Sequence, residues 1–145
     1  MQLRIYLIKI EITMSQWTHV NASIRIDSIR MIGMTEPKPG NRELWSEDKE
    51  TKYDFDLPGG SEGTLDYHLW VNPSNSAMAA YTLNIFGDLR SFGKEDVPEI
   101  LEYLNNVIEN QMIRSGIVEI NIEYGDTIIL IYDDLKGEWV EVYRK

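Results

Sequence analysis

Apolar and polar residues alternate along most of this chain with the period of a strand. In the segment Trp17 to Asp27, Val20, Ala22, Ile24 and Ile26 share one face while Asn21, Ser23 and Arg25 occupy the other, as in a half-buried strand. Thr64 to Asn72 alternates Leu65, Tyr67, Leu69 and Val71, and Ala79 to Asp88 alternates Tyr81, Leu83 and Ile85. Asn72-Pro73-Ser74-Asn75-Ser76 reads as the turn between them. A different period follows. Val97, Ile100, Leu101, Leu104, Val107, Ile108 and Met112 recur at three and four residues, which predicts an amphipathic helix. Asp96 is its expected N-cap with Glu99 as capping-box partner, and Gly116 is its expected C-terminal cap. Val118, Ile120, Ile122 and Tyr124 then alternate up to the hairpin signal Gly125-Asp126. Thr127 to Tyr132 and Glu138 to Tyr143 complete a hairpin-like end. Strands, one helix and strands again, without a regular βαβ repeat, predict an α+β fold. Its expected form is a mainly antiparallel sheet of about five to seven strands with one principal helix packed on a face.

Two stretches depart from this pattern. Residues 33 to 63 are broken by Glu36-Pro37-Lys38-Pro39-Gly40 and by Leu57-Pro58-Gly59-Gly60-Ser61-Glu62-Gly63, with a charged run between, and predict one long irregular excursion. At the other end, Leu3, Ile5 and Leu7 followed by Ile8, Ile10 and Ile12 suit an extended strand. Met14 also offers an alternative start, so residues 1–13 are expected to be either a leader strand or the product of an upstream start codon. Residues 14–145 are expected to form a single α+β domain. The apolar leader carries Arg4, Lys9 and Glu11 and is shorter than the roughly 20 residues that span a bilayer. A cytoplasmic protein of a bacterial host cell, without membrane contact, is the expected setting.

Composition narrows the chemistry. The 145 residues contain no cysteine, which excludes a disulfide scaffold, a thiolate metal site and a cysteine nucleophile. A net charge of −10 disfavours direct, sequence-independent contact with nucleic acid or anionic membrane. The charge is uneven: Met1 to Lys94 carries 10 basic and 12 acidic residues, whereas Glu95 to Lys145 carries 4 basic and 12 acidic. Asp96, Glu99, Glu102 and Glu109 on the predicted helix, with Glu119 and Glu123 on the following strand, are the candidate partner-binding residues. Such a one-signed surface speeds association with a basic protein.

Catalytic candidates are few. His19 and His68 fall on the polar faces of separate strands, with no spacing that pairs two imidazoles on one ion. Gly60-Ser61-Glu62-Gly63 lacks the spacing and following helix of a nucleophile elbow. Asp54/Asp56 and Asp133/Asp134 are carboxylate pairs without cation-loop spacing. No catalytic residue, metal ligand or cofactor is assigned, and the chain is expected not to be an enzyme. A second reading takes the glycine run as a concave set of backbone N–H groups for an anion. Gly59, Gly60, Ser61 and Gly63 would then hold the phosphate of a small phosphorylated or nucleotide ligand, with Trp70 stacked on its base. A metal-dependent hydrolase is the weaker third. Trp70 lies opposite the apolar face of its strand and is expected to be covered by its own chain, through the long excursion.

The phrases Ser15-Gln16-Trp17-Thr18-His19-Val20-Asn21, Gly60-Ser61-Glu62-Gly63-Thr64-Leu65, Ala77-Met78-Ala79-Ala80-Tyr81, Phe86-Gly87-Asp88-Leu89-Arg90 and Ile113-Arg114-Ser115-Gly116 resemble small proteins of phages, prophages and mobile elements of gut Firmicutes. The resemblance covers Met14 to the C-terminus. It implies an intracellular bacterial or phage setting and carries over no catalytic residue. Small acidic proteins of such elements often inhibit host defence systems, including CRISPR-type systems. Combined with the charge asymmetry, this gives the leading expectation: a non-catalytic inhibitor that occupies the surface of a basic, nucleic-acid-binding host protein. A homodimer through an edge strand, Met1–Thr13 or Glu138–Tyr143, is compatible with that reading.

Overall fold

The computed structural model describes residues 16–29, 57–72, 78–109 and 111–142, together with Pro37 and Pro39. The expected leader strand, Trp45, the Asp54/Asp56 pair and most of the 33–63 excursion lie outside the described residues, as does most of the turn after Asn72. The alternating segments form six strands: β1 (Trp17–Ile29), β2 (Asp66–Val71), β3 (Met78–Arg90), β4 (Met112–Ile122), β5 (Thr127–Asp133) and β6 (Glu138–Val142). One helix, α1 (Val97–Ile108), follows a single 3₁₀ turn, Lys94–Asp96. The sheet order is β2-β3-β1-β4-β5-β6, and every neighbouring pair is antiparallel. The fold is therefore α+β with one helix on a mainly antiparallel sheet.

The period-two pattern decides which side of the sheet the helix covers. Val20, Ala22, Ile24 and Ile26 of β1 are buried with Leu83 and Ile85 of β3 and Val118 and Ile120 of β4. The buried stripe of α1, formed by Ile100, Tyr103, Leu104 and Val107, belongs to the same apolar cluster. Burial of these aliphatic side chains, each contributing about 1.5–3 kcal/mol, fixes the register, because a one-residue slip would send the whole set to water. The start of β1 is pinned from both sides. Ser91 N–H donates to the Gln16 carbonyl at 2.8 Å, Glu123 N–H donates to the Trp17 carbonyl at 2.9 Å, and the buried Thr18 hydroxyl donates to the Phe92 carbonyl.

The helix is shorter than its apolar periodicity predicts. It ends at Ile108, Glu109 is already extended with ψ of 130°, and Met112 and Gly116 lie in β4. Gly116 is thus a strand residue and not a helix cap. Two physical reasons account for this. Met112 to Gly116 finds backbone partners along Ile24 to Asp27 of β1, and Gly116 is required where the Trp139 indole crosses β4, since a Cβ there would lie 2.6 Å from that ring. The N-terminal cap is also shifted. Asp96 makes no side-chain cap to α1; its carboxylate accepts Gly93 N–H at 2.9 Å while its own N–H donates to the Gly93 carbonyl at 3.0 Å. The reciprocal pair closes the 3₁₀ turn one step earlier than Asp96/Glu99.

The β4–β5 connection differs in a similar way from its sequence signal. Gly125 N–H donates to the Ile122 carbonyl at 2.9 Å, and the left-handed residue is Tyr124, with φ of 61°, not Gly125. In the β5–β6 connection Asp133 accepts the N–H groups of Leu135 and Lys136 at 3.0 and 3.2 Å, and Gly137 supplies the positive φ of 68°. The Asp133 carboxylate therefore organises a turn.

Candidate functional site

The helix is the first place where charge gathers. With Ile100, Tyr103, Leu104 and Val107 committed to the core, Glu95, Glu99, Glu102, Asn105, Asn106 and Glu109 are left on the solvent side. Asp96, Glu99 and Glu102 follow one another at spacings of three residues, so successive carboxylates are close enough to act on one another. Burial, then Asp96, then Glu102 raise the Glu99 carboxyl above its ordinary value. In its first turn α1 has Glu99 near the positive end of the helix dipole, which is favourable. Glu109 is at the opposite end, where a carboxylate opposes the dipole, and the last turn holds no basic residue. Lys94, at the start of the preceding turn, is engaged elsewhere, 3.4 Å from Asp126.

The sheet separates the six predicted acidic residues into two groups. Glu119 lies opposite Asn21 on the face of the sheet turned away from α1, where its Oε1 accepts Asn121 Nδ2 at 2.8 Å. Thr127 Oγ1 in turn donates to Asn121 Oδ1 at 2.8 Å. Glu123 is on that side too, with Oε2 4.0 Å from His19 Nε2. Asp96, Glu99, Glu102 and Glu109 thus form one surface, and Glu119 and Glu123 belong to another. Glu95 lies in the 3₁₀ turn before α1, with its carboxylate beside Gly93.

Among the described residues, no element packs on the face away from the helix. His19 stands at one end, with Nδ1 2.5 Å from Asp88 Oδ1 on the neighbouring strand. Both side chains are at least half exposed, so the pair resembles other surface ion pairs, which contribute about 0–1 kcal/mol. Arg25, Ser23, Thr82, Ser115 and Ile117 line a shallow depression at the centre. Trp70 is 48% exposed on this face, and most of the excursion expected to cover it lies outside the described residues. At the β6 side lies an aliphatic strip. Ile117, Ile131 and Val140 are direct cross-strand neighbours in one row, as are Ile129 and Val142 in the next.

The glycine run is engaged with the protein's own backbone. Gly60 N–H donates to the Gly63 carbonyl at 3.0 Å and Ser61 N–H to the Arg90 carbonyl at 2.9 Å, while Gly59 bridges to Thr64. These donors are turned to the protein itself. A Cβ on Gly60 would meet the Arg90 carbonyl at 2.3 Å, and one on Gly63 would meet that of Asp88 at 2.2 Å. The loop is clipped against the end of β3. Trp70 pairs with Thr82, six residues back along β3 from Asp88, which places it roughly 20 Å from Gly63 at strand spacing. The five residues proposed for a phosphorylated ligand are therefore not brought together.

No protein-family model matches the chain, and no curated protein or solved structure matches it either. Among the described residues no group of three or more His, Asp or Glu side chains is placed to hold a metal ion, and no helix is long and apolar enough to cross a membrane.

Proposed function

We propose that this chain is a non-catalytic binding protein whose acidic helical face docks on a basic protein. The observation that carries the reading is the lack of compensation along α1. Carboxylates at Asp96, Glu99 and Glu102 crowd one another at the start of the helix, Glu109 opposes the helix dipole, and no cation of the helix offsets them. Like charges so placed cost the isolated fold stability, and a basic partner converts that cost into attraction. The half-buried Glu119 and Glu123, on the other side of the sheet and already engaged with Asn121 and His19, are left out of this interface. On the resemblance of its segments to proteins of mobile elements, the target is proposed to be a basic, nucleic-acid-binding protein of a bacterial host cell, inhibited by occupation of its surface.

The test is a pull-down from bacterial lysate with the full chain and with E99K/E102K/E109K, at low and high salt. The reading predicts a basic protein that is held by the wild type at low salt, released at high salt and not held by the variant. Equal capture by both proteins contradicts it.

A further inference from the structure

Deepening that reading, and resting on it, we infer that β6 is the receiving edge for the basic partner, which adds an extended segment to the sheet as a further antiparallel strand. Among the described strands β6 pairs only with β5, so its other side presents backbone N–H and C=O groups without a strand partner. Its residues Glu138, Val140, Glu141 and Val142 are exposed and Trp139 is half-buried, and no described element other than β5 pairs along it. Two features specify the chemistry of the incoming strand. Glu138 and Glu141 make no ion pair among the described residues, and they call for cationic side chains opposite. Val140 and Val142 continue the aliphatic strip through Ile131 and Ile117, all four being 37–49% exposed, and they call for aliphatic ones. An antiparallel segment meeting Val142, Glu141, Val140, Trp139 and Glu138 in turn therefore reads aliphatic, basic, aliphatic, neutral, basic. A second copy of β6 meets these demands less well, because it supplies no cation opposite either glutamate in a register that pairs Val140 with itself.

The experiment is an NMR titration of the ¹⁵N-labelled full chain with the capped peptide Thr-Val-Lys-Val-Thr-Lys-Thr and with the same peptide carrying Glu for both Lys. The inference predicts that the lysine peptide shifts the amides of residues 138–142 and slows their exchange, and that the glutamate peptide does neither. E138K/E141K, and separately V140K/V142K, are expected to weaken the lysine peptide by about tenfold or more. Shifts confined to residues 97–109, or no shifts at all, overturn strand addition, and the acidic helix is then judged by its own pull-down. Protection of the β6 amides that grows with protein concentration in the absence of peptide assigns the edge to a second copy and overturns the inference as well.

Discussion

Trp139 lies over Gly116, with its Cη2 only 2.6 Å from where a Cβ on that glycine would sit. The two residues belong to β6 and β4, and the indole reaches across β5, where it meets Tyr132 edge-on at a centroid distance of 5.3 Å. A short edge strand is thereby held down by one large side chain, and that side chain needs a residue with no Cβ beneath it. Gly116→Ala is expected to lift the ring and destabilise the protein by about 1–3 kcal/mol, as overpacking does. Urea denaturation followed by far-UV circular dichroism measures this, and an unchanged midpoint would show that the indole is not seated as described.

The same indole carries a buried N–H without a hydrogen-bond partner among the described residues. An unsatisfied donor of this kind costs about 1–3 kcal/mol, so Trp139→Phe removes a penalty together with some buried area. Its expected net change is within about 1 kcal/mol. Trp139→Ala, which discards the ring contact with Tyr132 as well, is expected to cost clearly more in the same denaturation assay.

Gly63 combines a φ of +78° with the closest backbone approach on the loop that is clipped to β3. Any Cβ there meets the Asp88 carbonyl and also strains the backbone. Gly63→Ala is expected to lose about 2 kcal/mol or more, with a fall in thermal midpoint. Ser61→Ala removes only exposed hydroxyl contacts to Ser91 and the Arg90 carbonyl and is expected to stay within about 0.5 kcal/mol of wild type. A Gly63→Ala protein as stable as Ser61→Ala would mean that the loop is not clipped as described.

Glu99 links stability to pH. Its carboxyl is raised first by burial and then by Asp96 and Glu102, so in the window just above the ordinary glutamate value the folded chain holds more protons than the unfolded one. The Glu99 contribution to stability is therefore greatest at the acidic side of that window and declines as pH rises through the folded value. Glu99→Gln abolishes this dependence and is expected to gain about 0.2–0.5 kcal/mol at neutral pH for each like-charge helix contact it removes. Denaturation midpoints of the two proteins at pH 4.5 and 7 measure the difference. A variant that is less stable than wild type at neutral pH would contradict crowding of carboxylates on this helix face. The predicted gain in stability with loss of partner binding is the pattern expected of a residue retained for function.

Most strands were legible from a two-residue alternation, and β1 is the clearest case, with every even-numbered residue from Thr18 to Ser28 facing the core, whereas β5 is a continuous aliphatic run from Ile128 to Ile131. The helix end was not legible from periodicity. Met112 falls at helical spacing from Ile108, yet the backbone of residues 112–116 has the β1 edge to pair with, and that long-range contact outweighs a local pattern. Asp96 and Glu99 have capping-box spacing, but Gly93 is placed to receive the Asp96 carboxylate one turn earlier. The acidic helix face was legible because amphipathicity alone assigns Glu99, Glu102 and Glu109 to solvent. The separation of Glu119 and Glu123 from them follows from the alternation of Val118, Ile120 and Ile122, which turns the intervening glutamates away from the helix, and grouping residues by charge along the chain overlooks it. The glycine run shows the same limit: composition permits an anion cradle, whereas the hydrogen bonds to Arg90 that turn it inward are contacts across almost 30 residues of chain.

The central claim is that the carboxylates of α1 recognise a basic protein, and the most direct measurement is the affinity of the protein recovered by the wild-type chain for wild type and E99K/E102K/E109K across a salt series. The account predicts affinity that falls steadily with rising salt for wild type and binding that is lost at every salt concentration for the variant, with both chains equally folded. Equal affinity of the two chains, or an affinity indifferent to salt, would contradict it.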